Sequence, residues 1–119
     1  MGSKSTSTDP VLDLESALAR LGGDRELFSD MAGYALVDVP ELLDDLRAAL
    51  ASADAIEVRM KAHAIRGLVA GCGGVRAMNV AQELEDAGKS GDLSQANSLA
   101  ATLETEFAQL KSALAPHLR

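Results

Sequence analysis

Asp54-Ala55-Ile56-Glu57-Val58-Arg59-Met60-Lys61-Ala62-His63-Ala64-Ile65-Arg66-Gly67-Leu68-Val69-Ala70-Gly71 is followed directly by Cys72-Gly73-Gly74. Asp54 and Glu57 make a D-x-x-E capping pair, and the three glycines end what they start, so the stretch predicts one helix. At about 100° per residue, Val58, Ile65, Leu68 and Cys72 share a face, while His63 points away from it. Arg59, Gly67 and Ala70 lie within about 40° of His63, and Met60 and Arg66 within about 60°. A histidine on that side of a helix is placed to meet a partner rather than to fill a core.

Working outward, the same periodicity recurs between breakers. Asp9-Pro10 reads as an N-cap with proline at the first helical position, opening a helix over Val11 to Leu21 that Gly22-Gly23 stops. Asp24 can cap a second segment with Leu27, Phe28, Met31 and Ala35 along one stripe. Beyond Pro40, Leu42, Leu43, Leu46 and Leu50 fit either a new helix or a kinked continuation of the old one. A helix from about Val75 to Ala87 should end at Gly88 and Gly91, and Asp92 with Gln95 should open the last, whose Leu99, Leu103, Phe107, Leu110 and Leu114 recur before Pro116. There is no internal repeat, hairpin signal or alternating strand pattern. Short links between amphipathic helices favour antiparallel neighbours, so the expected fold is all-α: an up-down antiparallel four-helix bundle with an additional short N-terminal helix. Residues 1–8 read as a disordered lead-in with a cloning remnant after Met1, and 9–119 as one domain.

Composition agrees. Phe28, Phe107 and Tyr34 are the only aromatic residues and 47% of the 119 residues are hydrophobic, so Leu, Ala, Val and Met must build the core. Eleven basic against eighteen acidic residues give a formal charge of −7, which disfavours nucleic acid and anionic lipid as partners. The lone Cys72 excludes an internal disulfide, and no run approaches the roughly 18 apolar residues needed to span a bilayer. A cytoplasmic monomer without a membrane segment is expected. Yet Val58 to Gln82 contains no acidic residue while Arg59, Lys61, Arg66 and Arg76 fall inside it, a local positive island around His63.

The neighbours of His63 distinguish it from an ordinary surface histidine. Gly67 sits in a helix interior, where glycine costs roughly 1 kcal/mol relative to alanine. Its direction, away from the core, argues against close packing and for clear access to the ring. Arg66 offers a charged fork suited to phosphate oxygens, and Arg59 is placed similarly with less weight. Lys61 projects toward the core side, so either it snorkels to the edge or the helix is less regular than the ideal. Glu85 lies about 70° from the centre of its own helix's buried face, where it could take a ring N–H of His63 from the next helix and leave the other nitrogen nucleophilic; an exposed glutamate fits the spacing equally. No phosphate-binding glycine loop is present, and His63 and His117 are too few for a metal site. His117 reads as a surface residue.

Taken together, these residues resemble the histidine phosphotransfer (HPt) domains of bacterial two-component phosphorelays. That family's pattern, His-x-Leu-Lys-Gly with a glycine ten residues after the histidine, then Leu-Glu and Gly-Asp, is matched by His63-Ala64-Ile65-Arg66-Gly67, Gly73, Leu84-Glu85 and Gly91-Asp92. Ala17 to Asp24 and Leu46 to Leu50 are also similar, so the resemblance covers about residues 9 to 115. It implies His63 as phosphoacceptor, Arg66 stabilising the phosphoryl charge, Gly67 leaving room for the partner, and Glu85 orienting the imidazole. It also implies a response regulator receiver domain or hybrid histidine kinase as partner, with Mg2+ on the receiver and no cofactor on this chain. Arg66 replaces the family's lysine and Ala77 its leucine, the first bearing on transfer rate or partner choice and the second on packing alone. The main expectation is a phosphoryl carrier without autonomous catalysis. The alternatives are a non-transferring adaptor or phosphate sink that binds a response regulator, and a phosphohistidine phosphatase.

Overall fold

The computed structural model describes residues 8–118; the lead-in expected over 1–8 falls, apart from Thr8, outside them. Among the described residues there are five α-helices and no strand: α1 (Leu14–Arg20), α2 (Arg25–Ala51), α3 (Ala55–Gly71), α4 (Val75–Ser90) and α5 (Ala96–Leu114), with a 3-10 turn at Ala115–His117. Helices α2 to α5 each pack on the next and α5 closes on α2, so the expected bundle with a short N-terminal helix is what forms. Met31 touching Gly71 and Lys61 pairing with Asp45 show α2 and α3 running antiparallel.

The core is aliphatic, as the scarcity of aromatics requires. Phe28, Val39 and Leu46 of α2, Val58, Ile65 and Val69 of α3, Leu84 of α4, and Leu103, Leu110 and Leu114 of α5 are sealed from solvent. Every apolar residue assigned to the inner face of α3 is buried, Leu68 only partly. Lys61 sits at that face's edge and reaches out to Asp45 at 3.6 Å and Glu57 at 3.9 Å.

Three boundaries differ from the sequence expectation, and the alternative left open at Pro40 is decided. The first helix starts at Leu14, not Val11, because Asp13 rather than Asp9 is the cap: its carboxylate accepts the Ser16 N–H. Asp9 is engaged elsewhere, its carbonyl accepting from Arg76 and its carboxylate from Asn79, so the segment from Asp9 to Asp13 starts as a strap on α4. At Pro40, where the sequence allows a new helix or a continuation of the old one, the helix continues. It lies inside the 27-residue α2 as an exposed residue, on the side away from the core. Gly88 does not end α4, which runs to Ser90 and stops at Gly91 in the left-handed conformation. Asp92 does not cap α5: it accepts the Ser94 N–H within the preceding turn, and Gln95 occupies the cap position without a side-chain bond.

The α3–α4 turn is clamped from two sides. Asp13 N–H donates to Gly73 O at 2.8 Å, and the Arg20 guanidinium donates to Ala70 O at 3.0 Å beside the turn's own Gly73 N–H, so the turn is tied to the N-terminal segment and α1. Gly73 has φ +84°, and a Cβ there would lie 2.8 Å from Asp13 O, so only glycine suits this corner. The turn fixes the register in which α4 returns along α3.

Candidate functional site

That register decides which α4 side chain faces His63. Because α4 returns antiparallel, Gly88 lies against Ala55 and Arg59, and Glu85, one turn earlier, lies beside His63 and Arg66. A Cβ on Gly88 would stand 2.6 Å from Arg59 N and 2.8 Å from Ala55 O, distances no real side chain tolerates. Glycine therefore lets the two backbones close, and the closure brings Glu85 within reach of α3. The sequence shows this in the small residues Ala77, Ala81 and Gly88 along the inner face of α4, a stripe at odds with reading Gly88 as a helix end.

Glu85 is 7% exposed, the one buried charged residue among those described, which rules out the solvated glutamate that spacing alone allowed. Its Oε2 is 3.0 Å from His63 Nδ1 and its Oε1 accepts from Arg66 Nε at 2.9 Å. Arg66 Nη2 is itself 3.0 Å from His63 Nδ1. Burial by itself pushes the Glu85 carboxyl up. The hydrogen bond from His63 and the Arg66 charge outweigh it and hold the group below the ordinary glutamate range.

The imidazole is held at one nitrogen and open at the other. Its side chain is 62% exposed, with Nδ1 turned in to Glu85 and Nε2 at the opposite corner of the ring. When Nδ1–H donates to Glu85, the proton is absent from Nε2 and its lone pair points outward. Nothing stands within 4 Å of a Cβ built on Gly67, so the glycine is not there for packing inside this chain. Exposed Ile56 and Met60 line, with Arg59, His63 and Glu85, a shallow groove of about 350 Å³. In the sequence Met60 is only a neighbour of His63 and Ile56 has no part; the available signal is their apolar character on an outward face.

The positive island does not survive as a patch. Lys61 is paired with Asp45 and Glu57, Arg76 is tied to the Asp9 carbonyl, and Arg66 is bound to Glu85. Among the described residues Arg59 alone of the four is exposed and makes no ion pair. Cys72, the other conceivable nucleophile, is fully buried and its thiol is pushed up to about 11 by that burial, so it stays protonated. His117 is half-buried in the closing 3-10 turn, remote in sequence from the site.

A helical bundle that holds one histidine by Nδ1 on a buried carboxylate and turns its other nitrogen outward belongs, as a class, with the histidine phosphotransfer bundles. Comparison with known proteins agrees. A model of the Hpt domain matches residues 30–113. The crystal structure of histidine-containing phosphotransfer protein B (HptB) from Pseudomonas aeruginosa PAO1 is similar in fold, with a TM-score of 0.82 and 27% identity over 90% of this chain and 93% of that one. No curated protein sequence matches the chain. The chain belongs to the Hpt domain family, the histidine phosphotransfer proteins of phosphorelays.

Proposed function

We propose that His63 is the phosphoacceptor of this chain and that the protein relays a phosphoryl group from a hybrid histidine kinase, or from the phosphorylated aspartate of a response regulator receiver domain, to another receiver. The observation that carries this reading is the fixed contact between Glu85 and His63 Nδ1 at 3.0 Å beside a ring that is otherwise exposed. In the transfer step the Nε2 lone pair forms the N–P bond while the P–O bond to the aspartate breaks. The electron pair leaves on the aspartate carboxylate. The ring gains positive charge as this happens, and Glu85, already ionised, faces it at Nδ1.

Access and contact follow from the same face. Gly67 leaves the space one turn beyond His63 clear for the partner's active site, and Ile56 and Met60 supply apolar area next to it. Arg59 is placed to meet the partner's acidic pocket. The chain acts as a carrier rather than an enzyme and binds no cofactor of its own. The receiver contributes the Mg2+ and the groups that activate the phosphoryl. It works in the cytoplasm; among the described residues no helix is long and apolar enough to cross a membrane.

The experiment is phosphoryl transfer from a labelled receiver to the chain, followed by acid treatment. Acid-labile label on the chain supports the carrier. Regulator binding with no label at any time would identify an adaptor instead, and sustained release of inorganic phosphate by the isolated protein a phosphatase.

A further inference from the structure

Large apolar side chains are exposed at five positions among the described residues, and they fall into two groups. Ile56 and Met60 line the groove of His63. Leu27, Tyr34 and Val37 lie on α2, where the His63 site makes no use of them. Tyr34 and Val37, 63% and 66% exposed, line with Glu26, Asp30 and Gly33 a second groove of about 610 Å³ that shares no residue with the first. On one flank of α2, Met31 and Asp45 meet α3; on the other, Arg47 pairs with Glu104 of α5. The groove opens between these flanks, on the side of α2 that faces away from the core.

Gly33 has no packing role inside the chain. It stands in the interior of a 27-residue helix, where glycine is a poor helix former, and nothing lies within 4 Å of a Cβ built on it. Elsewhere in this molecule a helix glycine has a clear use, since Gly88 lets α4 close on the α3 backbone. Glu26, Asp30, Gly33, Val37 and Glu41 recur at intervals of four, three, four and four residues, the spacing at which one helix presents a stripe to another. Gly33 is a notch in that stripe, with Tyr34 and Val37 beside it. Charge decides what fits the notch. Glu26, Asp30, Asp38 and Glu41 are exposed, and among the described residues none of them makes an ion pair. From residue 25 to residue 46 the only cation is Arg25, at the first turn. A second copy of the chain, at a formal charge of −7, would set like charge against like. A helix with basic flanks and an apolar stripe brings the opposite charge and fills the notch.

We propose that the outer face of α2 around Gly33 is a docking surface, separate from the His63 groove, for a basic amphipathic helix of a partner protein. The occupant lays its apolar stripe over Gly33, Tyr34 and Val37 and sets Lys or Arg side chains against Glu26, Asp30, Asp38 and Glu41. The outward charge beside His63 is Arg59, so the two faces select partners of opposite sign. Nothing here depends on phosphotransfer; the face belongs to the free protein.

The test is an NMR titration of the isotope-labelled full chain with three synthetic peptides of equal length: an amphipathic helix of Leu, Ala and Lys, the same helix with Glu for Lys, and a scramble of the first that keeps its composition but has no apolar face. With the first peptide the amide resonances of Glu26, Asp30, Gly33, Tyr34 and Val37 should shift, and the shifts should shrink as salt is raised. The other two peptides should leave them in place, and Ile56, Met60 and His63 should not move with any. Gly33→Gln, with open space at its Cβ, should hold or raise the melting temperature and weaken binding about fivefold or more. Glu26→Gln/Asp30→Asn should weaken binding and flatten its salt dependence. Equal binding by the scramble, shifts centred on the His63 groove, Gly33→Gln binding as tightly as wild type, or no shift with any peptide overturns the proposal. Concentration-dependent shifts of the same residues with no peptide present would assign the face to a second copy and overturn it as well. The three-peptide comparison on wild type needs no variant, so it decides the matter even if a variant fails to fold.

Discussion

In the proposed reading Gly67 and Glu85 divide the work at His63 between access and orientation, and each can be removed separately. With nothing within 4 Å of the position a Cβ would take, Gly67→Gln should fit without strain and raise helix stability by up to about 1 kcal/mol. Its longer side chain should nevertheless block partner docking, so phosphotransfer should fall sharply while the melting temperature holds or rises; unimpaired transfer would take Gly67 out of the site. Glu85→Gln keeps the shape and removes the charge. Because the Glu85 carboxyl is held below its ordinary value of about 4.3, it stabilises the fold above that pH, and the stabilisation is lost as pH falls through the lowered value. Glu85→Gln should therefore cost on the order of 1–2 kcal/mol at neutral pH, and the gap to wild type should close below about pH 4, as measured by thermal unfolding across pH. The direction of His63 and the openness at Gly67 were legible in the sequence because helical periodicity fixes which way a residue points. The embrace of Glu85 and His63 by Arg66 was not, since an arginine at i+3 reads the same whether its fork turns outward or back across the ring.

At the scale of elements, the site depends on how closely α3 and α4 approach. Gly88→Ala would place a methyl 2.6 Å from the Arg59 nitrogen, forcing the helices apart one turn from Glu85. The expected cost is about 1–3 kcal/mol of stability, with weakened contact between Glu85 and His63 visible in the ring resonances. A variant as stable as wild type would mean the helices can slide to accommodate it. Helix existence was legible throughout, because long periodic segments bounded by glycines and caps leave little choice. Ends were less so. Asp9-Pro10 looks like a cap, but tertiary bonds to Arg76 and Asn79 claim Asp9 and pass the capping to Asp13. Gly88 looks like a breaker, but the α3 backbone against it makes it a packing residue, in line with the small residues Ala77 and Ala81 on the same face of α4. Pro40 permitted two readings, and the burial of Val39, Leu43 and Leu46 on one continuous face selected the unbroken helix.

Over the whole molecule, net charge and local charge tell different stories. The formal charge of −7 belongs to the surface at large, while the cations that cluster in sequence are dispersed in space among Asp45, Glu57, Glu85 and the Asp9 carbonyl. What remains outward around His63 is Arg59 with the apolar Ile56 and Met60. Family membership follows from the fold and the matched residues; the role of His63 is the central claim, and it has a direct test. A labelled phosphorylated receiver is mixed with wild type and with His63→Gln, and protein-bound, acid-labile phosphate is counted on each. The account predicts label on the wild type and none on His63→Gln; equal label on both would contradict it.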